Sequence, residues 1–297
     1  YKMVEGPIVP KYKNAPELSL VAEPARQGLI YGKMDHQRPI LFVNAVSHRG
    51  LLEAAKLAVR LGHEQEARGW ITTAEQLKKA WENAFTPPWS DNDRTYISAL
   101  WPSWVATEKR QDLATFADAR WKTRHDRAGD YNKVPLWTYF ELAEAHQWLF
   151  LGRQDRAWST VKWFWDHQSS PGLYTWWEGE GEENSFGRWT RVRGWVDPPH
   201  VTPHYWTAAE IALLQFDMLA YIDEGGSEPT LIIGGGIPTE WLSKTMDVRR
   251  LRVGSLFIDW HWNGKAMKAT IRGENQLKAR LGSGFPSEAQ LELTYSK

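Results

Sequence analysis

The apolar residues of this 297-residue chain change their period once, at Pro229. Before it they recur every three to four residues. Leu51, Ala54, Ala55, Ala58 and Leu61 share one helical face that Gly62 closes, and Trp70, Ala74, Leu77, Trp81 and Ala84 step by four, three, four and three until Pro87 and Pro88 end them. The stretches LWTYFELAEAHQWLFL from Leu136, DRAWSTVKWFWDHQ after Gly152 and YWTAAEIALLQFDMLAYI from Tyr205 read the same way. After Pro229 the runs are short and β-branched or alternating: TLIIGG, VRRLRV, SLFIDWHW, KAMKATI and QLELTY, separated by Gly, Pro and Asn. Paired helices first and strands last predict two structural units, 1–226 helical and 227–297 β-rich.

The flanking segments carry weaker signals. Five prolines between Pro7 and Pro39 break any long helix, so residues 1–45 are expected to be irregular. Two short helices are expected around Pro102. Residues 169–203 form a long loop rich in Gly, Pro and Trp. The opening YKMVEGPIVPKYK has the form of neither an initiator methionine nor a signal peptide, and is read as a cut or processed start.

Composition excludes several chemistries. Without cysteine there is no disulfide, thiolate metal site or thiol nucleophile. Lys plus Arg (36) equals Asp plus Glu (36), so no global field draws in nucleic acid or an anionic membrane. No apolar run approaches the roughly 20 residues that cross a bilayer. The triple glycine 234–236 lacks the Lys-Ser/Thr of a phosphate loop, and His200 and His204 are separated by a proline that spoils their helical spacing as a metal pair.

Tryptophan is the outlier, at 19 residues against 10 Tyr and 10 Phe. Its flat apolar face and single N–H donor suit a packed core and also the C–H face of a sugar ring. Trp70, Trp81, Trp148 and Trp158 lie on helical faces and read as core. Trp176, Trp177, Trp195 and Trp206 lie in or beside the acidic loop PGLYTWWEGEGEEN and are expected to line a sugar site. His204 and Tyr205, at the entry of the last helix, are expected to bond sugar hydroxyls.

Three blocks resemble the glucoamylase-type six-hairpin glycoside hydrolases: GLIYGKMDHQRPILFVNAVSHRGLLEAAKLAVRLG, residues 28–62; PGLYTWWEGEGEEN followed by VTPHYWTAAEIALLQFDML; and LIIGGGIPTEWL running into strands. The resemblance implies a mainly α fold, an (α/α)6 toroid of helical hairpins, followed by a small C-terminal β-sandwich-like segment. A complete ring needs about twelve helices and roughly seven or eight are readable here, so an N-terminal part of the same protein is expected to be required. The resemblance further implies a general acid at Asp35, where the family has Glu. It places a general base at Glu178, with Glu180, Glu182 and Glu183 as rivals.

Glycosidic hydrolysis needs one protonated and one ionised carboxyl group, and an apolar Trp-lined pocket separates their pKa values by desolvation. The expectation is therefore an inverting hydrolase of an oligo- or polysaccharide, with carboxyl groups roughly 6.5–9.5 Å apart. A polysaccharide lyase using His204, Tyr205 and Arg193, and a non-catalytic sugar-binding fragment, are the alternatives. No cofactor is called for, apart from calcium as an alternative use of the 178–183 carboxylates.

Overall fold

The computed structural model describes residues 23–26, 28–32, 38–39, 41–87, 97–132, 136–179, 202–274 and 276–296. These fall into two compact units, 1–116 and 117–297. Among the described residues, no helix is long and apolar enough to cross a membrane.

The first unit opens with a small antiparallel sheet of β1 (Glu23–Arg26), β2 (Leu29–Gly32) and β3 (Arg38–Pro39). Arg26 pairs with Leu29, so the chain turns tightly at Gly28, whose φ of 81° is readily available only to glycine. The apolar stripes seen in the sequence then form α1 (Leu41–Arg60) and α2 (Glu64–Ala84), an antiparallel hairpin turned at Gly62, also at positive φ. Small residues, Ala55, Ala58 and Ala67, line part of the seam and let the helices approach closely. Leu77 packs on Leu29 and Ile30. Asn44 fastens β2 to α1: its Oδ1 accepts from the Ile30 N–H (2.7 Å) and its Nδ2 donates to the Ile30 carbonyl (3.2 Å). Of residues 97–120, expected as two short helices, 97–103 are turns, and a 3-10 turn at Thr107–Lys109 leads into a single helix, α3 (Arg110–Arg124), which spans the division between the units.

In the second unit α4 (Thr138–Phe150) and α5 (Gln154–Asp166) form a hairpin turned at Gly152. Helix α6 (Tyr205–Leu219) packs against α4 and passes directly into β4 (Ala220–Asp223). One sheet joins β4 antiparallel to β5 (Thr230–Ile233) and β5 parallel to β9 (Lys278–Leu281). The other is ordered β10-β8-β7-β6, from β6 (Met246–Val253), β7 (Leu256–Trp262), β8 (Ala266–Arg272) and β10 (Gln290–Ser296). Within it β6, β7 and β8 are antiparallel and β10 runs parallel to β8. Alternation along β7 turns Ile258, Trp260 and Trp262 inward to meet Leu231, Ile233, Met267 and Ile271 in one core. The helical part is tied to the strands by Trp158, whose indole N–H donates to Glu240 (2.6 Å) and whose ring packs edge-on to Trp241.

The mainly α class is therefore corrected. The protein has a helical part and a substantial β part, with ten strands in three sheets among the described residues. Two of these sheets mix parallel and antiparallel pairs. All five strand runs read after Pro229 are present. The surplus comes from β4, which continues an apolar run read as helix, from the short β9, and from the hairpin hidden among the N-terminal prolines.

Candidate active site

Of the residues the sequence nominates, Asp35, Glu180 and Trp195 lie outside the described residues, as do Glu182 and Glu183 with the calcium alternative. Trp176, Trp177, Glu178, His204, Tyr205 and Trp206 are described, and the structure brings them together where α4 and α6 begin.

Residues 175–179 are pinned to both helix starts by backbone hydrogen bonds. Trp176 accepts at its carbonyl from the His204 N–H (2.8 Å), and Glu178 from the Thr138 N–H (2.9 Å). Both tryptophans of this segment are buried, and their indole N–H groups end on backbone carbonyls: Trp176 on Phe164 and Trp177 on Leu136, each at 2.8 Å. Both rings, expected to line a sugar site, are enclosed by protein, and their indoles anchor the loop. Gly179 completes the arrangement, because a Cβ there would collide with the indole of Trp137.

Between two fixed backbone points, the Glu178 side chain stays partly open at 31% exposure. Its Oε1 lies 4.0 Å from Nε2 of His204, which is largely buried. Burial lowers the His204 pKa below its ordinary value, with the Glu178 charge opposing. Behind the imidazole runs a chain of hydroxyls. His204 Nδ1 lies 2.8 Å from Oγ1 of Thr207, which lies 2.7 Å from Oγ1 of Thr138, and Thr138 donates to the carbonyl of Trp177. Beside the pair, Tyr205 and Trp206 are 76% and 65% exposed, conspicuous for large aromatic residues in the first turn of a helix. Trp206 is braced edge-on by Tyr139 at 5.8 Å.

A buried layer of charge supports these ends. His146 of α4 bonds through Nδ1 to Glu210 (2.7 Å) and through Nε2 to Asp217 (2.9 Å), both on α6. Burial alone would lower its pKa, but the two carboxylates outweigh that and raise it. Glu141 pairs with Arg124; burial first, then neighbouring Glu144, pushes its carboxyl up to about 7 against the pull of that arginine. Burial, aided by Glu210, pushes the Tyr139 hydroxyl up to about 12. Thr138, Thr207, His146, Glu141 and Glu210 went unrecognised in the sequence. A signal was present: Trp137-Thr138-Tyr139-Phe140-Glu141 and Trp206-Thr207-Ala208-Ala209-Glu210 repeat the pattern Trp-Thr-x-x-Glu at the two helix starts.

The arrangement offers an ionisable carboxylate beside an imidazole lone pair, with exposed aromatic rings adjacent. No protein-family model and no curated protein matches the sequence. Among solved structures, the fold is similar to that of a GH78 family rhamnosidase of Bacillus sp. GL1, with a TM-score of 0.56 over 92% of this chain at 14% identity. The chain spans 30% of that rhamnosidase's length. At this identity the likeness is one of fold.

Proposed function

We propose that the protein is a glycoside hydrolase in which Glu178 is one of the two catalytic carboxyl groups. The observation that carries this reading is the Glu178–His204 pair, a half-open carboxylate on a clamped backbone 4.0 Å from a buried imidazole, with Tyr205 and Trp206 exposed alongside. A fold shared with part of a rhamnosidase supports it independently. In this reading Glu178 is the general base that activates water, and the sequence nominates Asp35 as the general acid. Tyr205 and Trp206 offer ring faces to a sugar, and His204 presents a ring nitrogen to a hydroxyl. Attack by water from the face opposite the leaving group inverts the anomeric carbon. Oligo- or polysaccharides are the substrate class, and rhamnosides are the first sugars to try. The need for an N-terminal part of the same protein remains part of the proposal.

The test is product analysis by proton NMR during incubation with a panel of aryl glycosides that includes rhamnosides, and with a 4-linked uronate polysaccharide. The expected result is release of a free sugar that first appears in the anomeric form opposite to the substrate. An unsaturated uronate as product would favour the lyase alternative, and sugar binding without any product would favour a binding module.

A further inference from the structure

The hydroxyl chain behind His204 has a direction, and that direction determines what the imidazole presents to Glu178. A carbonyl oxygen only accepts, so the Thr138 hydroxyl spends its one proton on the Trp177 carbonyl. Toward Thr207 it must then accept, and Thr207 spends its own proton on Thr138 at 2.7 Å. Thr207 is left as acceptor for His204 at 2.8 Å, so Nδ1 carries the hydrogen. Burial disfavours the doubly protonated ring. Nε2 is therefore a bare lone pair, 4.0 Å from a carboxylate oxygen. Among the described residues, Glu178 is the charged group that faces this ring.

Two acceptors at that separation suit one water molecule that donates a hydrogen to each. With both bonds at about 2.8 Å and an angle at oxygen near or somewhat below tetrahedral, the acceptors lie roughly 4–4.5 Å apart. We propose that Glu178 and His204 together hold the nucleophilic water, and that Thr207, backed by Thr138, is a positioning residue that keeps His204 in the Nδ1–H tautomer this requires. The proposal rests on the glycosidase reading. With both hydrogens engaged, the water's lone pairs point away from the protein toward the anomeric carbon. As the oxygen bonds to that carbon, the hydrogen shared with Glu178 passes to the carboxylate. The glycosidic C–O bond breaks with its electron pair on the aglycone oxygen, which takes the proton of the general acid. The other hydrogen stays on the new hydroxyl, still donated to Nε2, and His204 remains neutral throughout.

The full chain labelled with nitrogen-15 gives the first readout, with His204 assigned by its loss in H204Q. The expected spectrum shows a protonated Nδ1 and an unprotonated Nε2; a protonated Nε2 overturns the proposal whatever the turnover. Kinetics give the second. Thr207→Val removes the acceptor and should lower kcat by roughly 10–100-fold at unchanged KM, while Thr207→Ser, which keeps the hydroxyl, should restore most of it. A T207V enzyme with wild-type kcat overturns the positioning role. If T207V does not fold, the wild-type spectrum and T207S still decide. Failure of the underlying reading looks different: the wild type then releases no sugar, or E178Q turns over like the wild type.

Discussion

Glu178 is held by its backbone rather than by its side chain. Its carbonyl is bonded to Thr138, the preceding Trp177 is locked through its indole, and the following Gly179 lies flat on Trp137. Such an arrangement fixes where the carboxylate starts while leaving its oxygens available. It predicts that Gly179→Ala, which adds one methyl group far smaller than any sugar, lowers kcat/KM by roughly 10–100-fold by pushing Glu178 off its position, and lowers stability by about 1–3 kcal/mol through overpacking. Steady-state kinetics and thermal melts read the two effects separately. The sequence nominates the acidic loop because carboxylates adjoining tryptophans are an unusual pairing. Which aromatic rings stay open to solvent was not legible. Trp176 and Trp177 are buried, whereas Tyr205 and Trp206 are open, and that difference depends on carbonyls of Phe164 and Leu136 brought in from elsewhere in the fold.

At the scale of elements, α4 and α6 are joined across the site by His146 between Glu210 and Asp217. Removing the imidazole leaves two carboxylates in an enclosed setting, so His146→Gln should cost about 3–5 kcal/mol, measured by chemical denaturation. The pH dependence has a definite sign. His146 is raised above 6.5, so its contribution is complete below that value and is lost as the pH climbs through the folded-state pKa. Glu141 keeps its proton to about 7 in the folded state, while its ordinary value is 4.5. Between those values the folded protein binds more protons than the unfolded chain, and stability again falls as pH rises. Compared with the wild type at each pH, E141Q should therefore lose less stability between pH 5 and pH 7, and H146Q less above pH 6.5, both read as differences in melting temperature. The helices themselves were legible because their apolar period is strong. Strand β4 was not, because AYID continues the apolar run of α6 without a breaker until Gly225, and only pairing with β5 selects the extended form. The N-terminal hairpin was missed for the opposite reason, since its prolines masked the turn that Gly28 makes.

At the scale of the whole molecule, the change from helices to strands falls at Ala220, ahead of the compositional break at Pro229, and both kinds of element belong to the unit 117–297. Strand β4 hangs from α6 and pairs with β5, and Ala220 sits in the strand core. A chain cut after residue 226 should accordingly leave β4 unpaired and aggregate, as seen by size-exclusion chromatography. Within that core Trp262 is fully buried against Phe285 and donates to the Leu242 carbonyl (2.8 Å), so Trp262→Ala should cost about 3–5 kcal/mol. The β part is larger than sequence patterning suggested because short strands such as Lys278–Leu281 take their identity from a parallel partner far away in the chain.

Glu178 as catalytic base is the residue role on which the proposed hydrolysis depends. The most direct measurement is kcat of Glu178→Gln beside the wild type on an aryl glycoside that the wild type hydrolyses, with sugar affinity measured on the same preparations. The predicted result is a loss of roughly 10²–10⁴-fold in kcat with affinity nearly unchanged. A variant that turns over at the wild-type rate would contradict the assignment and the hydrolytic mechanism built on it.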